Sequence, residues 1–131
     1  MIAVKRLIKS DILGMARVGY SGDLEVYVNT NDSSKIPHFH IRNPNNWQAF
    51  HSCILIESAQ YFNHGNKVSV LNAQQRKELQ HFMESPVALK KYVSLNLNNW
   101  QLICLLWDLN NSDVEIAEDI TMPDYRMLPN L

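Results

Sequence analysis

The run Pro37-His38-Phe39-His40-Ile41-Arg42, the turn Asn43-Pro44-Asn45-Asn46 and the run Trp47-Gln48-Ala49-Phe50-His51-Ser52-Cys53-Ile54-Leu55-Ile56-Glu57-Ser58 decide the fold of this 131-residue chain. The first run alternates imidazoles with apolar side chains, the period of two that marks a strand with unlike faces. The second, from Trp47 to Ser58, reads as another strand with Phe50, Ile54 and Ile56 on one side. Strands joined by so short a turn run antiparallel. Hydrophobic matching favours pairing Arg42 with Ala49, which sets His40 opposite His51 and His38 opposite Cys53. Phe39 and Ile41 then share the other face with Phe50, Ser52 and Ile54, and a slip of one residue would mix the two faces.

Upstream, Gly14 to Asn31 reads as a β-hairpin. Ala16 and Val18 alternate with polar neighbours, Tyr20-Ser21-Gly22-Asp23 supplies turn residues, and Leu24, Val26 and Val28 resume the alternation. Residues 1–12 read as a short helix or an irregular entry segment. Downstream the pattern turns helical. Asn72 with Gln75, and Asn98 with Gln101, have capping-box spacing. Leu79, Phe82 and Met83 share one helical face, and Trp100, Ile103, Cys104 and Trp107 share another. Ser85-Pro86 ends the first helix, and residues 87–93 read as a further short one. The expectation is an α+β fold: a small antiparallel sheet of three to four strands packed by two to three C-terminal helices. As one domain over 1–131, it divides into a sheet (14–58), a helical layer (72–111) and an extended acidic tail (112–131).

Apolar residues make up 46% of the chain and charged residues 19%, with a formal net charge of −1, which excludes wholesale disorder and a uniformly basic nucleic-acid coat. Residues 1–107 carry eleven Lys/Arg and seven Asp/Glu (+4), whereas 108–131 carry one Arg and six acids (−5). That acidic end reads as a solvated tail, with docking on a basic surface as the alternative. No apolar run approaches the roughly 18 residues needed to span a membrane. Cys53 and Cys104 lie in apolar runs and read as buried thiols, too few for a disulfide scaffold. The opening Met1 to Lys9 is basic and apolar by turns, unlike a leader peptide, so a cytoplasmic location is expected.

The chemistry gathers on the histidine strand. The register above puts His38, His40, His51 and Cys53 on one face, a ligand set suited to a zinc-type transition metal. Glu57 further along, and His64 in a glycine-containing loop, are candidates to activate water. Structural use of the histidines is the competing reading, with acid–base or nucleic-acid contact beside it. Arg42, Trp47 and Tyr61 are candidates to pair phosphate and stack a base. Eight Lys/Arg from Arg17 to Lys91, with Tyr20, Tyr27, Trp47 and Tyr61, give a weaker case for nucleic acid. A Cys53–His nucleophile is geometrically open, but Cys53 is mid-strand rather than at a helix N-terminus. There is no glycine-rich phosphate loop, GxSxG, HExxH or CxxC. A third alternating His is missing because position 42 is Arg, and the cupin Glu is missing because residues 43–46 are Asn-Pro-Asn-Asn.

The order of hairpin, Pro37-His38-x-His40, apolar strand Cys53 to Glu57, helix around Leu79 and Leu105-Leu106-Trp107-Asp108 resembles a family of small bacterial domains of unknown function with a Pro-Pro-His-x-His hallmark. Through Asn-Thr-Asn-Asp (29–32), Ile-Pro-His-Phe-His (36–40), Ile-Glu-Ser-Ala-Gln-Tyr-Phe-Asn-His-Gly (56–65) and Met-Pro-Asp-Tyr (122–125) the chain also resembles proteins of gut Bacteroidetes and their phages. The hallmark resemblance covers roughly residues 14–110; Ile36 stands where the hallmark has its first proline, and the 58–70 loop and the C-terminal segment are longer. Members of that family often lie beside toxin–antitoxin-type genes, which implies an accessory role. The expected functions are therefore three. The first is an interaction module of mobile-element or phage-host type that binds a protein partner. The second is a metal-dependent hydrolase of a phosphodiester or nucleotide. The third is a module that captures a small nucleotide signal.

Overall fold

Four strands form one antiparallel sheet in chain order: β1 (Met15–Ser21), β2 (Leu24–Asn29), β3 (His38–Arg42) and β4 (His51–Leu55). Two helices follow, α1 (Ala73–Glu84) and α2 (Asn99–Asn110), with 3-10 turns at Val93–Leu95 and Tyr125–Met127. This is the expected α+β arrangement. The computed structural model describes residues 15–29, 36–63, 68–111, 116 and 119–130. The entry segment 1–12 and His64 lie outside the described residues. No helix among them is long and apolar enough to cross a membrane.

Local chemistry explains the turns. Gly22, at φ 60, opens a two-residue hairpin turn between β1 and β2, a place where glycine meets no steric cost. A bulge between Arg17 and Gly19 keeps both Ala16 and Val18 buried while Arg17 points away from them. The β3–β4 connection is longer than the sequence reading has it. Asn43 Oδ1 accepts from the amides of Asn45 and Asn46, and the Ala49 amide then donates to the Asn46 carbonyl. These tandem turns consume Trp47 to Phe50, so β4 starts only at His51. Arg42 pairs with His51, His40 with Cys53 and His38 with Leu55, two residues from the expected register. Because the shift is two, every side chain keeps its expected face.

One face of the sheet carries Val26, Val28, Phe39, Ile41 and Ile54, all buried under Leu79 and Met83 of α1 and Leu102, Ile103 and Leu106 of α2. Both capping boxes form in full: Asn72 and Asn98 accept from the Gln75 and Gln101 amides, and each Gln side chain accepts from the cap amide. Asn98→Ala should lower stability by about 1 kcal/mol, read as a shift in the denaturation midpoint at unchanged m-value.

Residues 87–93 do not form the expected helix: a turn at 90–92 leads into the 3-10 turn at Val93–Leu95. The Val87 amide donates to Leu97 and the Asn99 amide to Ser85, so two extended backbone pieces pair there instead. The acidic end is likewise not simply solvated. Tyr125 is fully buried; its hydroxyl donates to the Leu55 and Ile56 carbonyls (3.2 and 2.9 Å), and its amide donates to Gln80 Oε1 at 2.7 Å. With Leu128 also buried, the C-terminal segment straps the end of β4 to α1.

Candidate metal centre

The second sheet face is polar and yet largely buried. Along one row of neighbouring strands lie Arg17, Tyr27, His40 and Cys53; along the next lie Tyr20, Glu25, Arg42 and His51. His40 is 3% exposed and Cys53 5%, while His51 is half-buried. Buried polar groups need partners, and these find one another. His40 Nδ1 lies 3.0 Å from His51 Nε2 and 3.3 Å from Cys53 Sγ. The two imidazoles are within 8° of parallel with centroids 5.2 Å apart. With so short an N···N approach they meet edge to edge in nearly one plane.

Three ligand atoms from His40, His51 and Cys53 thus lie within 4.8 Å of one another. Bond lengths of about 2.0–2.1 Å to nitrogen and 2.3 Å to sulfur at tetrahedral angles require N···N near 3.3 Å and N···S near 3.6 Å. The two separations measured from His40 Nδ1 fall short by a few tenths of an ångström, an opening that side-chain rotation supplies. The group can therefore hold a metal ion.

The surroundings fix these side chains. Asn29 Nδ2 donates to His40 Nε2 at 3.2 Å, which leaves the His40 proton on Nδ1, facing the cluster. With Nδ1 given to a metal the proton moves to Nε2, and the amide can present its oxygen instead. Tyr27 lies 4.9 Å from His40, ring over ring, and its hydroxyl is 3.3 Å from His51 Nε2. Burial above all raises the Tyr27 pKa, with Cys53 and Glu25 adding and Arg42 opposing, so the phenol keeps its proton. Glu25 is 2% exposed and grips two guanidiniums, Arg17 Nε at 2.7 Å and Arg42 Nε at 2.8 Å. Arg42 also sits 4.6 Å above the Tyr27 ring.

The expected residues part company here. His38 shares the face but is not in the ligand group. Its Nδ1 donates to the Ile36 carbonyl at 2.8 Å, and its ring packs against Phe62 and Trp107. Trp47, an expected binding residue, is 57% exposed and stands edge-on to His51 at 6.3 Å, close to Arg42's register partner. Tyr61 is on the other side: it pairs with Ile54, packs against the helix-side core, and its hydroxyl accepts from the Leu71 amide. Glu57 is exposed, and its charge helps to raise the pKa of Cys104 on α2. Reasoning from sequence missed Glu25 and Asn29, and named Tyr27 only as a nucleic-acid contact rather than as a neighbour of the histidines. Their signal is the polar alternation against Leu24, Val26 and Val28 on the strand beside the histidines.

The second thiol is held inert. Burial, then Asp108, then Glu57 push the Cys104 pKa up to about 12. Less than about one part in a thousand is thiolate at pH 8, four units below that value. Alkylation of Cys104 by iodoacetamide should therefore stay slow through pH 9, followed by peptide mass spectrometry; rapid labelling would contradict the assigned surroundings.

No family model, curated protein or solved structure matches the chain. The functional reading rests on the chemistry of the site.

Proposed function

We propose that this protein binds one zinc-type transition-metal ion through His40, His51 and Cys53 and uses it to hydrolyse a phosphodiester or nucleotide. The observation that carries the reading is the convergence of two imidazole nitrogens and one sulfur on a single point of a buried sheet face. A mixed nitrogen and sulfur set suits zinc among the common divalent ions. Three protein ligands leave a fourth position open, and an ion held that way supplies Lewis acidity to a phosphoryl oxygen. In the reaction a water oxygen bonds to phosphorus, the ester P–O bond breaks, and a proton passes to the leaving oxygen.

The chain's own residues would orient the reactants. His51 reaches toward the solvent side, with Arg42 beside it to face a phosphate. The Tyr27 hydroxyl, 3.3 Å from the His51 nitrogen that would hold the ion, would lie beside it. The partner-binding reading would use the face of His38, His40 and His51 together with the acidic end, where Asp108 accepts from the Ile116 amide and Asp124 pairs with Arg126.

The test is metal content by mass spectrometry on untagged protein, beside His40→Ala, followed by turnover of a chromogenic phosphodiester. About one equivalent of metal, lost in the variant together with turnover, is expected. Metal without turnover would sink the hydrolase reading, and no metal would sink both parts.

A further inference from the structure

Resting on the metal reading for an anchor, we infer that Cys53 is a redox release for the bound ion. Two-electron oxidation of its sulfur by hydrogen peroxide takes the ion out of the His40, His51 and Cys53 group, and a small thiol restores the group.

The chain has two cysteines, and the fold treats them in opposite ways. Cys104 packs against the helix-side core, where burial, Asp108 and Glu57 push its pKa up to about 12. Cys53 is buried too, but among imidazoles, its Sγ 3.3 Å from His40 Nδ1. An ion shared with His40 and His51 keeps that sulfur as thiolate, the form that attacks peroxide. Access follows from the ligand count. Three protein ligands leave a fourth position open beside the sulfur, and hydrolysis needs water to reach it. Hydrogen peroxide exceeds that water by a single oxygen atom, and half-buried His51 marks the solvent side for both. Cys53 supplies the sulfur of the group, so its oxidation leaves two imidazoles, fewer than the protein ligands of a catalytic zinc site.

In the step, Cys53 Sγ attacks one peroxide oxygen. An S–O bond forms as the O–O bond breaks. The sulfur gives up two electrons, and the departing hydroxide takes a proton from solvent to become water. The fold halts the chemistry at this sulfenic acid. Burial raises the Tyr125 pKa and Cys104 adds to it, which puts Cys104 by that ring; the ring meets Phe39 edge-on at 5.7 Å. Phe39 and Cys53 project from opposite faces of the sheet, so a disulfide between the two thiols would need the backbone to move. Return takes two molecules of small thiol. The first condenses with the sulfenic acid to a mixed disulfide and releases water, and the second displaces Cys53 from it.

The experiment treats zinc-loaded protein with hydrogen peroxide beside a chromogenic zinc chelator, with dimedone labelling and peptide mass spectrometry to read each sulfur. The expected result is release of about one equivalent of zinc, in step with dimedone on Cys53 and none on Cys104. Without peroxide the chelator should draw off zinc far more slowly. Dithiothreitol in place of dimedone, with the chelator removed, should let about one equivalent rebind. Cys104→Ala should release zinc at the parent's rate. Zinc lost with Cys53 unmodified, zinc kept with Cys53 oxidised, or equal loss without peroxide would overturn the release while leaving the metal reading intact. So would passage straight to sulfinic acid with no recovery in thiol, or a disulfide between Cys53 and Cys104. Failure to load zinc at the outset would remove the anchor and overturn both readings, and it is scored separately by metal content.

Discussion

Glu25→Ala should destabilise the protein by about 3 kcal/mol, the low end of the cost of breaking a buried ion pair by removing one partner. The carboxylate is almost fully buried and takes both guanidiniums through separate oxygens. Without it Arg42, held over the Tyr27 ring, loses the buried carboxylate that its Nε bonds, whereas Arg17, half exposed, turns to water. That asymmetry sets the figure at the low end and supplies a control. Arg17→Ala should cost less than about 1 kcal/mol, as exposed ion pairs do. A drop in melting temperature of roughly 10 °C for Glu25→Ala is the expected size for a chain of this length. Equal, small drops for the two variants would show that Glu25 is not the pin of the polar face.

His40→Ala should abolish zinc-dependent stabilisation. Zinc present at about a hundred times its dissociation constant should stabilise the parent by about 2.7 kcal/mol, by mass action alone. His40 Nδ1 lies 3.0 Å from His51 Nε2 and 3.3 Å from Cys53 Sγ, so its loss leaves two ligands and a gap. The variant's melting temperature should not respond to zinc, with circular dichroism confirming the fold. The parent's response should shrink on acidification, because bare imidazole and thiolate are the binding forms and protons compete for them. A His40→Ala protein that still gains the full zinc shift would mean that the ion sits elsewhere.

What the sequence discloses here is what local pattern can encode. The alternation from His38 to Arg42 settles which residues share a face, and both capping boxes are legible because their partners lie three residues apart. The register is not legible to better than two residues. Hydrophobic matching is indifferent to a two-residue slide, and the number of turns packed between Asn43 and Phe50 decides it. Long-range contacts set the remaining differences. His38 leaves the ligand group because the Ile36 carbonyl, Phe62 and Trp107 hold its ring. The 87–93 segment falls short of a helix because Ser85 to Val87 pairs with Leu97 to Asn99, and turns fill the residues between. Tyr125 is buried because the carbonyls at the end of β4 need a donor. Its local signal is an aromatic residue standing between Pro123 and Pro129, with Met127 and Leu128 beside it.

The central claim is that two histidines and one cysteine share one ion. X-ray absorption at the zinc edge of the zinc-loaded protein tests it most directly. The account predicts one sulfur neighbour at about 2.3 Å with nitrogen or oxygen neighbours at about 2.0–2.1 Å, the sulfur lost in Cys53→Ser. A shell of nitrogen and oxygen alone in the parent, or a sulfur that persists in Cys53→Ser, would contradict it.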